Sequence, residues 1–273
     1  MAESLIRVVS DVHFADRASR VRALGELRPL LEGADSFVFN GDTLDTRKGP
    51  DDSRTQSRRA EVLEFFAGAA PRVTFLTGNH DPDLSGTHLL DAANGRVLVT
   101  HGDVLFDTIV PWSSESRWIR GRVIAALASL PGDGAERLEG RLQAFRSVAA
   151  SIPQRHQSER NPIKYVVRLA GDTVWPPTRV LTILQAWRDA PAKAASLAAR
   201  HRPRARVVVI GHVHRPGVAR TPSGTVVVNT GSFCRPFGAV AADITADAVR
   251  VRRVAQSRGA FRLGPVLEEI GLS

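Results

Sequence analysis

Seven side chains in this 273-residue chain have the types and spacing to hold metal: Asp11, His13, Asp42, Asn79, His101, His212 and His214. They supply three oxygen and four imidazole donors and no sulfur. That set suits hard-to-borderline divalent metals, with manganese expected first and iron or zinc as alternatives, whereas magnesium or calcium would favour oxygen alone. Seven donors exceed what one tetrahedral ion takes. Two ions bridged by one carboxylate use them fully, and metal pairs roughly 3.5–4 Å apart suit in-line attack on phosphorus. Any single member has an ordinary alternative role, as an N-cap, a loop residue or a hydrogen-bonded core histidine. Five of the eight histidines fall in these runs, however, which ordinary roles do not explain. His88, His156 and His201 lack that context and read as ordinary residues.

The elements that must position these donors are short apolar strands. Phe37-Val38-Phe39 runs into Asn40-Gly41-Asp42-Thr43-Leu44-Asp45, and Ile6 to Val9 runs into Ser10-Asp11-Val12-His13. Val73 to Leu76 leads to Gly78-Asn79-His80-Asp81, Val97 to Val99 to His101-Gly102-Asp103, and Val207 to Ile210 to Gly211-His212-Val213-His214. Strands stopped in this way are expected to converge at their carboxyl ends, with Asp42 in the middle. If residues 11–13 stay extended, Asp11 and His13 face the site together and Val12 faces the core. Asp16, Asp81 and Asp103 read either as partners that orient ligands or as surface turns.

Between the strands, the spacing of Val21, Leu24, Leu27, Leu30 and Leu31 predicts a helix over 17–32. Arg47 to Arg59 reads as a polar surface loop, residues 60–68 as a helix, and Thr87–Ala92 as a short helix. The rhythm then breaks, for more than a hundred residues separate His101 from His212. This stretch predicts helices over 114–130, 135–150 and 178–201, and it contains Trp112, Trp118, Trp175, Trp187 and the single tyrosine, Tyr165. The division expected is a core of residues 1–103 and 204–273 with a helical cap or lid over 104–203. Thr225–Val228, the turn Asn229-Thr230-Gly231-Ser232 and a strand pair near 239–254 complete the core, and 255–273 reads as a tail without assigned structure.

Composition narrows the classes. Hydrophobic residues make up 43% with no membrane-spanning run, and Cys234 alone excludes an intrachain disulfide or thiolate cluster. The start of the chain lacks a charged-then-apolar leader, so a cytoplasmic location is expected. The net charge of +9 divides into −4 over 1–103, +7 over 104–203 and +6 over 204–273. An acidic pocket suits cations, and a basic surround attracts an anionic substrate. Of the 37 basic residues 34 are Arg, which solvated surface and genome composition also account for.

The order Asp-x-His, Gly-Asp-x-x-Asp, Gly-Asn-His-Asp, His-Gly and Gly-His-x-His resembles the calcineurin-like metallophosphoesterase superfamily. The resemblance implies an α/β fold, a four-layer αββα sandwich of two mixed sheets flanked by helices, here with a helical insertion. It implies that Asp11, His13, Asp42 and His214 hold one metal and that Asp42, Asn79, His101 and His212 hold a second. It also implies that His80, oriented by Asp45, contacts the phosphate and helps the leaving group depart. Ser10 to His13, His101 to Asp107 and Gly211 to Pro216 are most similar to UDP-2,3-diacylglucosamine hydrolases, which cut a pyrophosphate at a membrane surface, although His80 stands where those enzymes carry Arg. The activity implied is hydrolysis of a phosphodiester or pyrophosphate bond in a phosphorylated small molecule or lipid-linked nucleotide, with another phosphodiesterase or phosphatase acting on nucleotides or nucleic acid as the alternative. Arg117, Arg120 and Arg122 are the candidate phosphate contacts in the insertion, or rest on an anionic membrane surface. A nucleic-acid binder would need a basic track with stacking aromatics, and a non-catalytic scaffold would be expected to have lost ligands.

Overall fold

Alternation along the strands decides the layering. The computed structural model describes residues 4–49, 51–154, 161, 163–164, 166–167, 171 and 175–273, so Tyr165 and His156 lie outside the described residues. One sheet holds six strands in the order β11-β10-β9-β1-β2-β3, with β1 Ile6–Val9, β2 Ser36–Asn40, β3 Arg72–Leu76, β9 Ala239–Ile244, β10 Ala248–Ser257 and β11 Ala260–Gly271. The other holds five in the order β4-β5-β6-β8-β7, with β4 Leu89–Ala92, β5 Val97–Thr100, β6 Val207–Ile210, β7 Gly217–Arg220 and β8 Val226–Asn229. Both sheets are mixed. β1, β2 and β3 run parallel, as do β5, β6 and β8, while the outer strands pair antiparallel.

Side chains two apart share a face. Val8 and Val38 from one sheet therefore meet Val97, Val99, Val207 and Val228 from the other in a buried interlayer. On the far side of the first sheet, Val9, Phe37 and Phe39 pack against Leu24, Leu27, Leu30, Val62 and Phe66. On the far side of the second, Leu98, Val208, Ile210 and Val227 pack against helical residues including Ile119, Phe145, Ala190 and Ala194. The result is helix, sheet, sheet, helix. The outer helices of the second sheet are α3 (Ser116–Ala128), α4 (Leu138–Ala150) and α5 (Thr178–His201), and these three supply the fourth layer of the sandwich. No helix among the described residues is long and apolar enough to cross a membrane.

Three expectations need correction, and the unassigned tail takes a definite structure. The helix expected over 17–32 shrinks to a 3-10 turn at Leu24–Leu27 and α1 at Arg28–Leu31. The preceding chain is pinned elsewhere, with His13 N–H on Asp42 O and Arg20 N–H on Phe233 O. The loop expected over 47–59 instead gives way to α2, Asp52–Ala67, whose N-cap Asp51 accepts from the Arg54 amide at 3.1 Å. Thr87–Ala92 is not helical. Leu89–Ala92 pairs as an edge strand with β5, a long-range choice that four residues cannot signal. The tail is β11, joined to β10 through Arg258 and Gly259, both at positive φ as a two-residue hairpin turn requires.

Candidate metal centre

The carboxyl ends of β1, β2, β3, β5, β6 and β8 meet at one edge of the two sheets, and their loops bring the donors together. The backbone there is not extended. Asp11, His13, Asp42, His212 and His214 all sit at φ between 48 and 66°, a left-handed conformation that costs a non-glycine residue roughly 1–2 kcal/mol. Asp11 and His13 thus reach one site through successive reversals and not through strand alternation, while Val12 is buried in the core as expected. The reversals are held by Asp11 N–H on Gly41 O (3.1 Å), His13 N–H on Asp42 O (2.9 Å) and His212 N–H on Asp11 Oδ2 (3.0 Å).

Asp42 lies at the middle. Its Oδ2 is 3.7 Å from His13 Nε2 and 3.4 Å from His101 Nε2, and its Oδ1 accepts the His80 amide at 2.8 Å. Asp11 Oδ1 is 3.1 Å from His214 Nε2 and 3.9 Å from His13 Nε2. Asn79 Oδ1 lies 3.3 Å from His101 Nε2. Three ligand groups share these atoms: Asp11, His13 and His214; His13, Asp42 and His80; and Asp11, Asp42 and His101. His212 belongs to none of them. Its Nε2 is 2.9 Å from the Ile109 carbonyl, which leaves Nδ1 as its available donor. His101 Nδ1 is similarly 2.9 Å from Asn40 O, so its Nε2 points at Asp42.

The donors fit a divalent cation. Asp11 Oδ1 is buried, and His214 Nε2 at 3.1 Å faces it without a well-aligned hydrogen bond among the described residues, so the oxygen favours positive charge beside it. Burial pushes His13 down to about 4, and burial with the charge of His101 does the same to His212. His101 goes the other way: burial opposes its charge, but Asp42 lifts it to about 10. Burial would raise Asp42 as well, yet His101 and His80 hold it well below the usual carboxylate range. Buried carboxylates thus demand positive charge at the position of the His101 Nε2 proton, where a metal ligand is deprotonated.

Close approach explains two glycines. A Cβ at Gly78 would strike the Asp42 carboxylate and amide, and one at Gly211 would strike Asp11 Oδ2 and Ser10 Oγ. Asp81 is fully buried and accepts the amides of Gly78, Asp42 and Thr43 at 2.6–2.9 Å, so it joins the β2 and β3 turns. Burial and the Asp42 charge raise it to about 6. Asp103 is buried on Arg146 of α4. Asp16 accepts the Ala18 amide at 2.7 Å within its own turn.

His80 Nδ1 is 2.9 Å from Asp45 Oδ2, the pairing expected from the sequence. Arg47, read as the start of a loop, is buried beside them and carried no signal in the sequence. Nor did Gln154, whose amide donates to the carbonyls of Asp45 (3.1 Å) and Arg47 (2.9 Å). Ser10, Thr230 and Ser232 form a further unanticipated support, with Ser10 Oγ 2.6 Å from Thr230 Oγ1 and Ser232 Oγ donating to Asp11 O at 3.1 Å. Two tryptophans reach the site: the Trp112 ring is 5.5 Å from that of His212, and Trp187 Nε1 donates to Val213 O at 2.8 Å. Phe237 stands 5.7 Å from Trp187 and 6.4 Å from His214. Trp118 and Trp175 are exposed, as are Arg117, Arg120 and Arg122 on α3, where Arg122 stacks over Trp118.

Residues 5–216 match the family described as calcineurin-like phosphoesterase. The chain belongs to that family. No curated protein matches it. Among solved structures, the chain is similar to a dimetal phosphatase from Danio rerio, at 14% identity, TM-score 0.47 and coverage of 99% and 98% of the two chains. It is also similar to vacuolar protein sorting 29 from Cryptosporidium parvum, at 11% identity, TM-score 0.42 and 98% of each chain. A cold-active protein-tyrosine phosphatase of a Shewanella species matches at 13% identity, TM-score 0.36, over 95% and 80%.

Proposed function

We propose that this phosphoesterase holds two divalent ions and hydrolyses a phosphodiester or pyrophosphate bond. The observation that carries the reading is the place of Asp42, one carboxylate oxygen of which faces His13 at 3.7 Å and His101 at 3.4 Å. Asp11, His13 and His214 would hold one ion and Asn79, His101 and His212 the other, with Asp42 between them. The chemistry supplied by ions held there is Lewis-acid polarisation of phosphoryl oxygens and acidification of water, for which manganese, iron or zinc suits the imidazole-rich donors. His80 meets the leaving oxygen. Water adds to phosphorus, the bond to the leaving oxygen breaks, that oxygen takes the His80 Nε2 proton, and the proton released by water restores the imidazole. Asp45 fixes the ring through Nδ1.

Trp112, Trp187 and Phe237, whose rings lie around His212 and His214, would hold a flat or apolar part of the substrate. A nucleotide, or a nucleotide-linked lipid as in UDP-2,3-diacylglucosamine, presents such a group beside its phosphate. Arg117, Arg120 and Arg122 are surface contacts for the anionic remainder or for a charged membrane face. Metal-reconstituted protein should be assayed against nucleotide-diphosphate sugars, nitrophenyl diesters, nitrophenyl monoesters and DNA. Diesterase or pyrophosphatase turnover with two bound ions supports the reading. Activity confined to monoesters, or a stoichiometry of one, refutes it.

A further inference from the structure

Arg47 has an unusual set of partners for a residue so close to a reacting histidine. It is 7% exposed. Its Nε donates to Asp45 Oδ1 at 3.0 Å and its Nη2 to Asp45 Oδ2 at 2.7 Å, a bidentate clamp, while its own amide donates to Asp45 Oδ1 at 3.1 Å. The same Nη2 lies 2.8 Å from His80 Nδ1, which is itself 2.9 Å from Asp45 Oδ2. The three groups form a closed triangle. A ring nitrogen has one in-plane position, so Nδ1 either donates to Asp45 or accepts from Arg47. It has a partner in both cases.

We infer that Arg47 is a positioning residue, which holds Asp45 and His80 so that Nε2 is the ring nitrogen left to meet the leaving oxygen. The inference rests on the role given to His80 above. A planar fork is needed to hold both carboxylate oxygens and the ring edge, and an ammonium cannot supply it. Gln154 Nε2 fixes the loop from behind through the carbonyls of Asp45 and Arg47, so the clamp is built into the fold. A cavity of about 250 Å³ borders Arg47, room enough for a small cation to enter if the side chain is removed.

The test uses the full-length, metal-loaded protein. Arg47→Met and Arg47→Lys should each keep both ions and a KM close to wild type while kcat falls about 10–100-fold, as for other groups that orient active-site side chains. The loss should be larger for alkyl than for nitrophenyl leaving groups. Methylguanidinium should restore part of the turnover of Arg47→Ala, and Arg47→Met should cost nothing further in a His80→Ala background. Independently of activity, long-range nitrogen–proton NMR of zinc-loaded protein should give distinct His80 ring-nitrogen shifts in wild type and averaged ones in Arg47→Met. Full activity in Arg47→Lys, an equal loss on the His80→Ala background, or unchanged His80 spectra would overturn the inference. If His80→Ala itself turns over every ester normally, the role given to His80 fails, and the spectra still decide whether Arg47 holds the ring.

Discussion

The buried pair Arg146–Asp103 allows a quantitative prediction. Asp103 follows the motif His101-Gly102 and is 0% exposed; Arg146 comes from α4 and is 4% exposed. They form a buried ion pair, but among the described residues the second carboxylate oxygen and Arg146 Nε and Nη1 have no hydrogen-bond partner. Burial alone would raise the Asp103 carboxyl, and the Arg146 charge, followed by that of His101, pulls it below its usual value. Arg146→Met removes the larger opposing charge and leaves a carboxylate in the interior, which should cost about 3–5 kcal/mol. At roughly 2–4 °C per kcal/mol for a chain near this size, Tm should fall by about 6–20 °C. Because so many atoms of the pair are unsatisfied, the double change Arg146→Met with Asp103→Leu should recover most of that loss. Urea unfolding of the wild type, both single variants and the double, in chelator so that metal does not contribute, completes the cycle. A coupling of about 3 kcal/mol is expected. Single losses below about 1 kcal/mol, or losses that simply add, would refute the argument that this pair is stable only as a pair.

Other outcomes follow from the site. Asp42→Ala should bind at most one ion by elemental analysis, because its carboxylate faces both ligand groups; two retained ions would remove the bridging assignment. His80→Ala should keep its metals and lose most turnover on esters with poor leaving groups, so loss of metal instead would make His80 a ligand. Gly78→Ala, which drives a methyl group into the Asp42 carboxylate, should weaken metal binding by about 10–100-fold in a titration, the scale seen when ligand orientation is lost. Trp112→Ala and Trp187→Ala should spare a simple nitrophenyl diester and lower kcat/KM on a nucleotide-bearing one; equal losses on both would separate these rings from substrate selection.

Much of the fold was legible because the five strands that lead to the site, β1, β2, β3, β5 and β6, are short apolar runs, and the end of each carries a candidate donor. The helix expected over 178–201 coincides with α5, whose small apolar positions, Ala186, Ala190, Ala194 and Ala198, recur at helical spacing. Where the reading failed, a partner outside the window decided the matter. Leu24–Leu31 has apolar residues at helical spacing, but the chain before it is tied to the β2 turn and to Phe233. Leu89–Ala92 takes its conformation from β5, and Ala260–Gly271 from β10. The turn Asn229-Thr230-Gly231-Ser232 after β8 gave no sign that it supports Asp11.

The sequence by itself supplied the candidate donors, their chemical hardness and the family, since these depend on residue types and on their order along the chain. It also determined the period-two alternation that gives each sheet two buried faces. Only the tertiary structure decided which donors face one another. The left-handed reversals at Asp11, His13, Asp42, His212 and His214 persist because hydrogen bonds from distant strands offset their cost, and no local pattern encodes those partners. The same holds for Arg47 and Arg146. A guanidinium reads as surface charge until the fold buries it against a particular carboxylate, and the energy of that contact depends on distances the linear order does not contain.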